Sequence, residues 1–268
     1  MSRLVKSRMS QLLGENKRLD GRKHDEYRKP VKVELNITKT AEGSARVFIG
    51  ETVVLAGVKM ELGKPYPDTP DEGSIMVGAE LLALANPDFE PGPPGIQATE
   101  LARVVDRGIR ESKALDFKGL CITPGELCWI VVIDIVPVND AGNLFDASAL
   151  AAIAAIKCTK LPKRDGDVLD YKSMSNKGLP MSGYPISLTV GKLGNNYLVD
   201  MDSDEEKVID ARLSVAYLED GTLCAMQKGG DHALAIDDVM AMIELGWTKS
   251  AELREALENA QDGKLADE

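Results

Sequence analysis

The sequence predicts an α+β fold of two packed units, each a set of strands that includes a hairpin and is followed by a helix. Three observations carry this reading. Apolar runs such as VKVELNI (31–37) and LCWIVVIDIVPV (127–138) have strand character, the first alternating and the second nearly continuous. Two-residue breaks at Gly50-Glu51 and Asp220-Gly221 join neighbouring runs as hairpins. Helical spacing then occupies residues 146–160 in the first half and 233–259 in the second.

In chain order, MSRLVKSRMSQLLG places Leu4, Met9, Leu12 and Leu13 at helical spacing among basic residues. It lacks the apolar core of a signal peptide, and a short packed helix is the expectation. Strand 31–37 follows, then SARVFIG and TVVLAGVKM as a hairpin, and ELGKPYPDTPDEG as a long loop. SIMVGAELLAL reads as a strand, NPDFEPGPPG as a loop, and residues 96–114 as a helix. The alanine-rich helix 146–160 has small side chains that allow a sheet to approach closely. The polar stretch after it marks a boundary, giving units 1–165 and 185–268 with a linker over 166–184. Beyond it, PISLTV, NYLVDMD, ARLSVAYLED and TLCAMQK supply the second set of strands.

Composition narrows the function classes. A chain of 268 residues with 44% hydrophobic residues can bury a real core in each unit. Its net charge of −11 argues against general nucleic-acid affinity, so any polyanion contact must come from a local basic patch. Aromatic residues make up only 4%, leaving few platforms for stacking bare bases. Cys121, Cys128, Cys158 and Cys224 form no C-x-x-C pair and read as thiols of a reducing cytoplasm. Two histidines offer little material for a Ser-His-Asp centre. No run approaches the length of a membrane span, and no metal or cofactor motif is expected.

Within ELARVVDRGIRES, Leu101, Val104, Val105 and Gly108 share one helix face, while Arg103, Arg107 and Arg110 share the other. Three guanidiniums on a stripe can grip successive phosphates; paired with Glu100, Asp106 and Glu111 they are an ordinary exposed face. VDMDSDEEKVIDA spaces Asp200, Asp202 and Asp204 like a calcium loop, but Glu205 and Ala211 stand where such a loop needs glycine and a bidentate glutamate. DAGNLFDASALAAI, from Asp140, has the tight turn into a helix that presents free N–H groups to an anion.

RLDGR (18–22), GSARVFIGETVVLAGVKM, ELARVVDRGIRESKALD, DAGNLFDASALAAI and DEEKVIDARLSVAYLEDGTLCAMQKGG, in this order, resemble the RNase PH superfamily. Within it they look most like the non-catalytic RNase PH-like subunits of archaeal exosomes. The resemblance implies an RNase PH-like fold (ribosomal protein S5 domain 2-like). Active members of the superfamily use inorganic phosphate to cleave RNA from its 3′ end, releasing nucleoside diphosphates.

Two departures from the active pattern decide the expected role. Active relatives read Asp, Ala or Gly, Gly, Ser or Thr, Arg at the phosphate turn; here Asn143 and Leu144 replace the hydroxyl and the guanidinium. Active relatives also resemble Glu-Asp-x-x-Gly-x-x-Asp; here Glu206 falls on the first aspartate, Ile209 on the glycine and Arg212 on the last aspartate. Arginine neither ligates Mg²⁺ nor serves as a base near neutral pH.

The resemblance therefore implies a cytoplasmic, non-catalytic exosome subunit with no catalytic residue of its own. It would alternate with an active RNase PH-like partner in a hexameric ring under S1-containing cap subunits. Arg103, Arg107 and Arg110 match the family's arginine-rich helix facing the RNA path, so single-stranded RNA is the expected ligand. RLDGR, shared by active and inactive members, is expected to hold the N-terminal segment. Two readings compete: a self-sufficient phosphate-dependent 3′-to-5′ exoribonuclease, and a scaffold without RNA contact.

Overall fold

The computed structural model describes residues 2–166 and 168–263, with the side chains of residues 2–5 and 172 excepted, so Leu4 of the first helical face lies outside the described side chains. The order is α1 (Ser2–Gly14), β1 (Val31–Leu35), β2 (Gly43–Ile49), β3 (Thr52–Gly63), β4 (Ser74–Ala79), α2 (Ile96–Ser112), β5 (Cys121–Thr123), β6 (Leu127–Asn139) and α3 (Leu144–Cys158). The chain continues through β7 (Lys160–Asp165), β8 (Val168–Gly178), β9 (Ile186–Leu193), β10 (Asn196–Val199), α4 (Ser203–Glu206), β11 (Ala211–Tyr217), β12 (Leu223–Gly229), α5 (Ile236–Glu258) and β13 (Gln261–Asp262).

One sheet runs β13-β1-β2-β3-β6-β4, with β5 also on β6; the other runs β10-β9-β11-β12. The hairpins form where expected. Gly50 (φ +57) turns β2 into β3, and Gly221 (φ +84) turns β11 into β12, conformations that glycine adopts without strain.

α3 lies between the two sheets, packed on β2, β3 and β9. Its alanines are buried throughout, and the approach is close: a Cβ on Gly43 of β2 would sit 2.4 Å from the Ala155 carbonyl oxygen. Small residues on both sides are what permit it. α2 spans the two halves, touching β4 on one side and β11 and β12 on the other. It buries Leu101, Val105, Gly108 and Ile109. α1 buries Met9 and Leu13 against Leu193, Leu198, Met201 and Val208, which fixes the N-terminal helix to the second sheet's edge.

Two expectations need correction. β4 ends at Ala79 rather than running through Leu84, since Leu82 and Leu84 are exposed and no sheet face covers them. The linker placed over 166–184 is largely strand: β8 pairs with β7 as a hairpin of its own. Both of its faces carry polar residues, so it lacks the alternation that marks a half-buried strand. Among the described residues, no helix is long and apolar enough to cross a membrane.

Candidate RNA interface and a filled phosphate turn

The turn Asp140-Ala141-Gly142-Asn143 leads from β6 into α3 with Gly142 at φ +98 and Asn143 at φ +61. It is held from below. Thr52 Oγ1 donates to the Gly142 carbonyl at 2.6 Å and lies 3.2 Å from the Ala141 N–H, while Asp140 Oδ1 accepts the Gly142 N–H. Arg28 donates to the Ala141 and Gly142 carbonyls and pairs with the fully buried Asp200, which also accepts from Asn143 Nδ2 at 2.9 Å. A Cβ at Gly142 would come within 2.5 Å of the Met201 carbonyl. The turn is therefore a rigid joint between α3 and the segment 200–203.

One further donor of the turn is also committed. The Asn143 N–H, which would otherwise greet an anion at the start of α3, donates to Glu206 Oε1 at 2.9 Å. Glu206 is an exposed residue lining a cleft of about 340 Å³, with its carboxylate end turned in against the Asn143 N–H. Loss of water there, with Asp140 nearby, pushes its carboxyl up to about 7, against the opposing pull of the Asn143 N–H, Arg212 and Arg28.

Arg212 reaches into the same cleft from β11. Its Nη2 pairs with Glu100 Oε1 of α2 at 2.7 Å, and its guanidinium lies 4.5 Å from the Phe145 ring centroid. Gly229 on β12 leaves the space: a Cβ there would be 2.5 Å from Arg212 Cζ. Leu144 adds an apolar wall. Among the described residues, no free guanidinium lines this cleft, and Arg212 is engaged by Glu100.

Three more acids of this region, Asp202, Glu205 and Asp200, hold structure. Asp202 caps α4, accepting from the N–H groups of Asp204 and Glu205. Glu205 pairs with Arg18, both out of contact with water, and Arg18 also donates to the Val199 and Asp200 carbonyls. Arg22 pairs with Asp20 and Asp200. The RLDGR segment thus holds the N-terminal stretch, as expected.

The arginine stripe divides. Arg103 and Arg107 are exposed, and among the described residues neither has an ion-pair or hydrogen-bond partner. Both line a groove between α2 and the β11–β12 hairpin. Arg110 instead pairs with Asp106 at 2.7 Å, donates to the Ile75 carbonyl and packs against the Phe117 ring. Glu100 and Phe145 as partners of Arg212, and Thr52 and Arg28 beneath the turn, are not legible in the sequence, because each lies far along the chain from what it touches.

Residues 27–162 match the 3′ exoribonuclease family (RNase PH), domain 1, and residues 183–249 match its domain 2. The chain belongs to the RNase PH family. The chain is 44% identical over 262 residues to the exosome complex component Rrp42 of Thermococcus kodakarensis, covering 95% of this chain and 94% of that protein. The Rrp42 of Archaeoglobus fulgidus is 51% identical over 223 residues, 83% of each. In three dimensions, this RNase PH family member resembles a chain of the Archaeoglobus fulgidus exosome with RNA bound to the active site. The TM-score is 0.86 at 46% identity, covering 94% of this chain and 97% of that one.

Proposed function

We propose that this chain is a non-catalytic ring subunit of an archaeal-type RNA exosome in the cytoplasm, alternating with an active RNase PH-like partner in a hexamer. Its units, 1–165 and 185–268, would shape the partner's cleft and guide a single-stranded RNA 3′ end toward it, with S1-containing subunits capping one face. The observation that carries this reading is the contrast along α2. Glu100 is committed to Arg212, whereas Arg103 and Arg107, within two turns of it, are unpaired and exposed among the described residues. Free guanidiniums grip phosphates without reading sequence, as a subunit serving a processive exonuclease requires. Arg110 stands at the end of the stripe with its guanidinium bonded to Asp106, and adds less to such a grip than the other two.

Reconstitution tests it. The purified chain alone, with phosphate and Mg²⁺, should release no nucleoside diphosphates from RNA, and a ring formed with an active partner should do so. In that ring, Arg103→Glu with Arg107→Glu should weaken RNA binding and reduce the slope of log affinity against log salt by about 1.4, roughly 0.7 for each lost contact with a single strand. Phosphorolysis by the chain alone establishes the self-sufficient enzyme instead; unchanged RNA binding by an intact double-variant ring establishes the plain scaffold.

A further inference from the structure

The groove that holds Arg103 and Arg107 is more than a basic rim. It encloses about 410 Å³, within the range of about 300–1,000 Å³ usual for sites that take an organic ligand. Val104 and Thr99 line it from α2, and Ala225, Met226 and Gln227 line it from β12. It is closed at one end, where a Cβ on Gly108 would already touch Ser187 Oγ at 3.2 Å and Ala216 Cβ at 3.5 Å. From there the slot runs along α2 toward Pro94, Gly95 and Ile96 at its N-terminus. Its rim leaves Ile96 at 89% and Met226 at 42% exposure.

We propose that this slot is a nucleobase subsite, holding one base of the RNA while Arg103 and Arg107 hold the phosphates beside it. The inference rests on the RNA-guiding reading and adds a ligand group to it. A bare polyanion satisfies the two guanidiniums but leaves the apolar walls in water. A purely apolar ligand covers the walls and leaves the cations without a partner. A nucleotide presents a flat, weakly polar body and an anion on adjoining edges, matching both. The two arginines lie one helical turn apart, about 6 Å along the axis, so they can meet neighbouring phosphates of an extended strand. Thr99 Oγ1 donates to the Gly95 carbonyl and keeps acceptor capacity, while the Gln227 amide, which donates to the Lys228 carbonyl, keeps its oxygen and a second N–H, so the slot favours the presence of a base over its identity.

The test uses the ring formed from the full chain and an active partner, with short RNAs carrying one abasic residue at successive positions from the 3′ end. One position should lose about tenfold in affinity, the size expected for a small buried apolar area. In a ring carrying Ala225→Leu, which fills the slot, that loss should shrink below about twofold, because the intact RNA is already weakened. Arg103→Glu with Arg107→Glu should weaken all the RNAs alike. A flat scan overturns the subsite while leaving the phosphate grip standing, and a positional loss of the same size in the Ala225→Leu ring overturns it too. If Ala225→Leu rings do not form by mass, Met226→Ala serves in the same comparison, and a full positional loss there overturns it. A flat scan combined with failed assembly assigns the slot to a protein neighbour and equally overturns it. Failure of the double arginine variant to affect any RNA is a separate result, and it sinks the RNA-guiding reading itself.

Discussion

The backbone N–H of Asn143 donates to Glu206 Oε1 at 2.9 Å, across 63 residues of sequence and at the first turn of α3. That bond places a carboxylate of the chain itself where the start of a helix would attract a phosphate. The left-handed Asn143 and Gly142 keep the geometry of an anion cradle, so the backbone is unchanged in kind while its occupant is internal. Loss of the clamping arginine at Leu144 and occupation by Glu206 are therefore two separate obstacles to phosphate.

The same carboxylate predicts a pH signature. Glu206 ordinarily titrates near 4.5, and its surroundings in the fold push it up to about 7. Between these values the folded chain holds a proton that the unfolded chain has released, so its contribution to stability falls as pH rises through that window. Glu206→Gln keeps an oxygen for the Asn143 N–H and removes the titration. The urea midpoint of the wild type should decline relative to Glu206→Gln between about pH 4.5 and 7, by a modest amount because the carboxylate keeps a wet edge. A pH-independent difference between the two would show that Glu206 titrates normally.

Gly142 should matter to the fold itself, whatever the turn binds. Its φ of +98 disfavours any side chain, and an added Cβ meets the main chain of Met201 and Asp202, which cannot rotate away. Gly142→Ala should cost about 2–3 kcal/mol or more in a denaturant titration. Gly125→Ala, also at positive φ (+77) but with open space around it, should cost less, since only the backbone term applies. Equal losses would show that the close approach of residues 201–202 contributes nothing.

These contacts mark the limit of what the sequence makes legible. The hairpins at Gly50 and Gly221, the helix carrying Arg103 and Arg107, and the alanine-rich α3 are local patterns, and local pattern suffices to find them. The β7–β8 hairpin escapes because a two-stranded ribbon with both faces polar has no period to detect. β13, two residues paired in parallel with β1, is created by where α5 delivers the chain. The apolar run after Ala79 misleads in the opposite sense, since Leu82 and Leu84 stay exposed. At the cleft, Arg212 was readable as the wrong residue for a metal, but its partners Glu100 and Phe145 come from α2 and α3 and only the tertiary fold joins them. The difference between Arg107 and Arg110, three positions apart on one face, is set by Asp106 and by the Ile75 carbonyl of β4.

Arg18 and Glu205 supply a third test. Both side chains are out of contact with water, and Arg18 spends its other donors on main-chain carbonyls of residues 199 and 200. Glu205→Gln leaves a buried guanidinium without its counter-charge and should cost about 3–5 kcal/mol. Arg18→Met alone should cost a similar amount, while the double variant Arg18→Met with Glu205→Gln should fall well short of the sum. The loss should be insensitive to salt, because the pair is not screened by solvent. Additive losses would mean that the two residues act independently.

Introducing the two residues expected in an active relative should not confer phosphorolysis on this chain. In Leu144→Arg with Arg212→Asp, the new arginine enters a wall built around an apolar side chain, with Leu81 and Phe145 as its neighbours. The new aspartate faces Glu100, which has lost its partner, and stands near Glu206, so three acids crowd one side of the cleft. Glu206 still holds the Asn143 N–H that a phosphate would need. A nucleophile and a leaving oxygen must be fixed to within fractions of an ångström, and loosely held groups supply little of that. The purified double variant, given RNA, phosphate and Mg²⁺, should release nucleoside diphosphates no faster than the wild-type chain, and should unfold earlier by roughly 1 kcal/mol through loss of the Arg212–Glu100 pair. Phosphate-dependent diphosphate release above that background would show that the two side chains suffice for phosphorolysis in spite of the occupied turn.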